Sequence, residues 1–315
     1  MLDWISKIIC KQQSNILYII LPYFNFCKYK RRIELFIQFV KSIKNVEGIR
    51  VIISEATLTG QNYQLPSGLP VFMHIKHTIS NQFWVKENLI NLAVKSLPLD
   101  WKFMAWIDAD LTFLNPLWVD DTIKTLKEYD VVQMFSHCDN LDAKGGVMKV
   151  DRSFGYMYRK SGRPYHKTSH YGFWHPGYAW ACTRQAYEKM QGLVDFGILG
   201  SGDRHMALSL IGLAEYSYPG TIHSNYAKLL KEYQERCLSL RLGYIDGKIL
   251  HHWHGSLVDR RYVERWNILI KNAYDPIVDI YKNDLGVICL SSSGKRLQRE
   301  LEEYFIGRKE DKLVH

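Results

Sequence analysis

Residues 103–116 read FMAWIDADLTFLNP, an apolar run that stops abruptly at Asp108 and Asp110. A short apolar segment closed by a turn signal is the pattern of a buried strand, expected here over residues 103–107. Side chains alternate along a strand, so the two acids would leave its end pointing the same way. Like charges placed there repel unless a cation or proton intervenes, and hard oxygen donors suit Mg²⁺ or Mn²⁺. The carboxyl end of a strand is also where open α/β sheets bind ligands. A lone D-x-D, however, also arises by chance.

The flanking segments supply the rest of such a sheet. Residues 16–20 form a continuous apolar run. A helix follows in which Ile33, Phe36, Ile37, Val40 and Ile43 recur at helical spacing. A second strand is expected over residues 50–54, ending at Glu55, then a Gly/Pro-rich loop around 60–70 and a helix over 82–96 closed by Pro98. Beyond the two acids come a helix over 119–129 and a strand over 131–135. This βαβα order predicts a largely parallel sheet with helices on its faces. Residues 138–176 show no lasting period and read as a long, Gly- and Tyr-rich loop that selects the acceptor of any reaction. Regular structure resumes at 177–182, followed by a helix capped by Thr183 with Ala186 and Met190 inward. Gly200-Ser201-Gly202-Asp203 precedes another helix. An Asp246-Gly247 turn leads to a strand ending in His251-His252-Trp253-His254-Gly255, and a charged helix is expected over 258–272.

At 315 residues with 47% hydrophobic and 23% charged residues, the composition is that of a globular enzyme. The net charge of +9 favours a phosphorylated ligand, an anionic acceptor or an anionic membrane surface. Lys28, Lys30, Arg31 and Arg32 form the patch for a peripheral membrane contact. No nucleic-acid reader module is recognisable, so nucleic acid is not an expected partner. The 6 cysteines are scattered without a C-x-x-C pair, which reads as free thiols in a reducing compartment. Met1 to Gln13 lacks the pattern of a leader, and a cytoplasmic location is expected.

Three further constellations carry chemistry. If His251 to His254 continue a strand, His252 and His254 share a face while His251 points away; one imidazole beside two carboxylates would suit Mn²⁺. Hydrogen-bonded, half-buried histidines are the plainer alternative. Asp203 is either a first-turn acid or a general base exposed by a Gly-rich bend. Trp84, Glu87, Asn88 and Asn91 share one polar helix face, either solvated or turned toward a ribose and diphosphate.

In this order, several segments resemble a glycosyltransferase of the GT-A fold: Tyr23-Phe24-Asn25, Glu55, Trp84-Val85-Lys86-Glu87 with Asn91, and Asp108-Ala109-Asp110. The series continues with Gly177-Tyr178-Ala179-Trp180, Gly202-Asp203 and His252-Trp253-His254-Gly255, covering about residues 14–256. The resemblance implies a Rossmann-like α/β fold with a mostly parallel central sheet flanked by helices and a C-terminal helical segment. It implies a catalytic domain over 1–258, with a nucleotide-sugar half (14–118) and an acceptor half (119–258), and an extension over 259–315. Asn25 and Glu55 would hold the nucleoside, and Trp84, Lys86 and Asn91 the rest of the nucleotide. Asp108 would contact ribose or metal, Asp110 the metal, and His252 or His254 would be its last protein ligand. Gly177, Tyr178, Trp180 and Gly202 would shape the sugar and acceptor pocket. The implied cofactors are Mn²⁺ or Mg²⁺ and a nucleotide-sugar donor, most commonly a UDP-sugar. The implied acceptor is a carbohydrate, glycolipid or glycoprotein. Asp203 stands where inverting members carry their base, whereas His252-Trp253-His254-Gly255 also resembles an H-F-x-G stretch of retaining members. Inversion is the favoured expectation. The alternatives are a retaining enzyme, a nucleotidyltransferase, which would normally show a Gly-rich loop near its start, and a non-enzymatic sugar- or nucleic-acid-binding protein.

Overall fold

Strand β1 (Leu17–Phe24) divides the core. Its Leu17, Ile19, Leu21 and Tyr23 enter one apolar layer, and Tyr18, Ile20 and Phe24 enter the other. A strand buried on both faces is what a parallel sheet covered by helices requires. The computed structural model describes residues 16–161, 165 and 174–312. Helix α1 (Lys30–Ser42) covers the first layer with Phe36, Phe39 and Val40. Strands β2 (Ile49–Leu58) and β3 (Met73–Ile79) extend the sheet in parallel. β3 escaped the sequence pattern because it is a polar edge strand, MHIKHTI, with little to bury. Helix α2 (Lys86–Val94) covers the second layer with Leu89, Ile90 and Ala93. Strand β4 (Phe103–Ile107) lies parallel to β1 over the expected residues and sends Met104 and Trp106 to one layer, Ala105 and Ile107 to the other.

After β5 (Leu111–Phe113), α3 (Trp118–Thr125) and β6 (Val131–Gln133), the structure corrects the expectation of one irregular stretch over 138–176. Strands β7 (His137–Leu141) and β8 (Val147–Arg152) form a hairpin, and helix α4 (Phe154–Lys160) follows, capped by Ser153. The hairpin closes through Asp142, whose Oδ1 accepts from Gly146 N at 2.8 Å. β7 (HCDNL) is mostly polar, and the apolar Val147, Met148 and Val150 of β8 are exposed and do not alternate, so no periodic pattern betrays the hairpin. Residues 162–164 and 166–173, including Tyr171, lie outside the described residues.

Strand β9 (Ala179–Thr183) inserts antiparallel between β4 and β6. Thr183 caps α5 (Arg184–Met190), accepting from Ala186 N at 3.1 Å, with Ala186 and Met190 buried as expected. Helices α6 (Gly202–Leu210) and α7 (Ser224–Cys237) precede β10 (Leu242–Tyr244) and β11 (Lys248–His251). The main sheet has seven strands in the order β10-β6-β9-β4-β1-β2-β3, and a second sheet runs β5-β11-β7-β8. The fold is therefore α/β, with a mostly parallel central sheet between helices.

The charged helix expected over 258–272 shrinks to α8 (Trp266–Lys271) after a short 3-10 turn. The hairpin of β12 (Ile280–Lys282) and β13 (Ile288–Leu290) and helix α9 (Gln298–Gly307) complete the described chain. Leu301, Tyr304 and Phe305 of α9 join the same apolar layer as Phe24, so this extension is packed into the core of the main sheet. Cys27, Cys138, Cys182, Cys237 and Cys289 are free thiols. No helix among the described residues is long and apolar enough to cross a membrane.

Candidate active site

Three strand ends meet at one place. Asp108 and Asp110 follow the carboxyl end of β4. Because β9 runs the other way, its start lies beside them, and Asp108 N donates to Tyr178 O at 2.8 Å. In the second sheet His251 pairs with Leu111 on one side and Asn140 on the other. A cavity of about 410 Å³ opens here.

On one wall, Asp110 Oδ2 lies 2.8 Å from His254 Nε2 and 3.8 Å from His251 Nε2. The two imidazole nitrogens are 3.3 Å apart. One donor atom from each of the three residues falls within 4.8 Å of the others. Asp110 Oδ1 is buried and has no hydrogen-bond partner among the described residues. Burial opposes ionisation of Asp110, but His251, His254 and Arg260 outweigh it and hold the carboxyl below its ordinary range. Burial pushes His251 down to about 3.

The expected pairing of His252 with His254 gives way to His251 with His254. The strand ends at His251, so alternation does not continue through the turn that follows. The His252 side chain instead meets Thr112 Oγ1 at 2.8 Å, while its backbone N–H donates to Asp110 O.

On the other wall, Lys86 at the start of α2 reaches Asp108 Oδ1 at 2.7 Å and Asp203 Oδ2 at 2.9 Å. Burial works against the ammonium, but Asp108, Asp203 and Glu87 raise its pKa well above the ordinary value. Burial, opposed by Lys86 and reinforced by Asp203 and Asp110, pushes Asp108 up to about 6. Asp203 sits in the first turn of α6, beneath the left-handed Ser201 at φ 79. Gly202 is needed there because a Cβ would lie 2.2 Å from Glu87 Oε1. Glu87 is buried, accepts from Trp84 Nε1 at 3.0 Å, and is pushed up to about 8 by burial and then by Asp203.

Of the other sequence candidates, Trp84, Gly177 and Tyr178 line the cavity. Tyr178 holds φ 84, rare for a residue with a Cβ, and stacks on His175 at 4.1 Å. Trp180 is buried in the core, with Nε1 donating to Pro176 O. Asn25, Glu55 and Asn91 lie away from the cavity wall. Asn25 closes the turn after β1 through Tyr29 and Gln64. Glu55 accepts from Gln64 N and Leu65 N and pairs with His74. Asn91 ties α2 to Leu193, and Asn88 bonds Gly286 O and Ile288 N. The polar face of α2 is thus neither solvated nor open to a ligand beyond Trp84 and Lys86.

The sequence reading missed the basic side of the cavity: Arg260, Arg265 and Arg308, all from the C-terminal extension, with Arg32 from α1. Arg32 came into view as a surface patch, but it pairs with the buried Glu310, and Arg31 Nε donates to Trp253 O. No local pattern marks an arginine that is buried only through distant contacts.

No family model and no curated protein matches this chain. Among solved structures, similarity extends to a catalytic domain of Drosophila β1,4-galactosyltransferase 7 in complex with xylobiose, at 10% identity and TM-score 0.42 over 90% of this chain and 97% of that one. It also extends to glucosyl-3-phosphoglycerate synthase from Mycobacterium tuberculosis, at 11% identity and TM-score 0.41 over 91% and 90%. A third is 4-diphosphocytidyl-2C-methyl-D-erythritol synthase from Anaerococcus prevotii, at 11% and 0.34 over 74% and 90%. Likenesses this distant assign no activity.

Proposed function

We propose that the protein is a metal-dependent glycosyltransferase that moves a sugar from a nucleoside diphosphate donor, by preference a UDP-sugar, to a hydroxyl of a glycan, glycolipid or glycoprotein. The observation that carries this reading is the convergence of Asp110, His251 and His254, with the unpartnered Asp110 Oδ1, on a cavity also lined by Arg32, Arg260, Arg265 and Arg308. One carboxylate and two imidazoles fit Mn²⁺, which accepts oxygen and nitrogen donors. A cation held there would stabilise the negative charge that develops on the leaving nucleoside diphosphate. The arginines attract and orient the same diphosphate, preferring planar, charge-assisted contacts. Trp84 and Tyr178 offer aromatic faces to sugar or base. Lys86 holds Asp108 and Asp203 together, and Asp203 lies beside Gly177, where a Cβ would be 4.0 Å from its Oδ2. An acceptor hydroxyl entering over Gly177 meets Asp203 as its base, which gives inversion.

The test is release of free nucleoside diphosphate from a panel of nucleotide sugars with Mn²⁺, with and without chelator. Chelator-sensitive hydrolysis of one donor supports the reading and names the donor. No hydrolysis of any donor, with no donor-induced rise in Tm, overturns it.

A further inference from the structure

The two histidines of the cluster are held from behind. His251 Nδ1 lies 3.0 Å from Asn140 Oδ1. The orientation of that amide is fixed by its other side: Asn140 Nδ2 faces Asp151 Oδ2 at 2.9 Å and Lys149 O at 3.4 Å, both acceptors only. The Asn140 oxygen also accepts from the Tyr178 hydroxyl at 2.7 Å. His251 must therefore carry its proton on Nδ1, which leaves the Nε2 lone pair facing Asp110. His254 is not fixed in this way: its Nε2 lies 2.8 Å from the Asp110 carboxylate, an acceptor, and 2.9 Å from Arg260 Nη2, a donor, while its Nδ1 faces Glu310 Oε2 at 3.4 Å. Arg260 Nη2 also lies 3.3 Å from Nδ1, the longer of its two contacts with this ring. Glu310 is itself 1% exposed and fixed by Arg308 at 2.6 Å.

We propose that Asn140 is a positioning residue that locks His251 in the Nδ1–H tautomer, so that its Nε2 lone pair is kept free on the side facing Asp110 and His254. The inference rests on the metal reading above and deepens it: Asn140 of β7 sets the ring that presents one of the metal's ligands. Acceptors behind metal-bound imidazoles fix the ring and raise its basicity, and their loss typically weakens metal binding by about 10–100-fold.

The experiment begins with the full-length, metal-free protein, whose histidine tautomers are read from long-range ¹H–¹⁵N spectra. A proton on Nδ1 of His251 is expected. The same measurement on Asn140→Leu should show His251 losing that preference. Mn²⁺ affinity, followed by the spin-resonance signal of the free ion, should fall by about 10–100-fold in Asn140→Leu at unchanged circular dichroism. A wild-type His251 protonated on Nε2 overturns the inference without needing any variant. So does wild-type Mn²⁺ affinity in Asn140→Leu. A wild type with the expected His251 tautomer that binds no Mn²⁺ overturns the metal reading instead and leaves the tautomer lock supported.

Discussion

The two walls of the cavity treat negative charge differently, although their acids come from one D-x-D. Asp108 is paired: with Asp203 it shares the ammonium of Lys86. Asp110 is left open, with an unpartnered oxygen beside two imidazoles. A carboxylate oxygen buried without a partner is a costly arrangement unless a ligand satisfies it. On the proposed reading the motif splits its labour, one acid building the wall and the other offering a coordination site.

The largest effect that could break this contrast comes from Asp110→Asn. It should lower Mn²⁺ affinity and metal-dependent donor hydrolysis by at least about 100-fold while leaving the fold intact by circular dichroism. Lys86→Met attacks the other wall. It leaves two neighbouring carboxylates without their cation, and denaturant unfolding should show a loss of about 3–5 kcal/mol. The lower end is expected because the Asp108 side chain keeps 30% exposure. Gly202→Ala drives a Cβ into Glu87 and should cost about 1–3 kcal/mol in the same assay.

A smaller, pH-dependent effect sharpens the contrast from behind the Lys86 wall. Glu87 is pushed from an ordinary 4.5 up to about 8 by burial and then by Asp203. Over that interval the folded protein keeps a proton that the unfolded chain releases. The stability this gives is fully present below the unfolded value and is lost as pH rises through the folded one. Tm should fall as pH is raised from about 5 to about 9, and Glu87→Gln should flatten the fall. An equal slope in both proteins would show that Glu87 is not the group responsible.

Much of the first half of the fold was legible because parallel strands buried on both faces write themselves as apolar runs, as β1 and β4 do. The hairpin of β7 and β8 was hidden because it is short, and the apolar residues of β8 are exposed and do not alternate. The site was half legible. Asp108 and Asp110 follow β4 as expected but turn to opposite walls, not the same way, since the strand ends at Ile107; Lys86, taken from the resemblance, reaches Asp108, and His254 faces Asp110. His251 was in view but assigned the wrong side, since parity fails where a strand ends. Asn25, Glu55 and Asn91 read as ligand contacts and prove to be bonded within the protein. Arg260, Arg265, Arg308 and Glu310 were invisible, because what makes them part of the site is contact across the chain and no pattern along it.

The most direct measurement is equilibrium Mn²⁺ binding to the wild type, Asp110→Asn, His251→Ala and His252→Ala. The account predicts that the wild type and His252→Ala bind one ion alike, within about twofold, and that the other two lose it. A wild type that binds no ion, or loss of binding in His252→Ala with retention in His251→Ala, would contradict it.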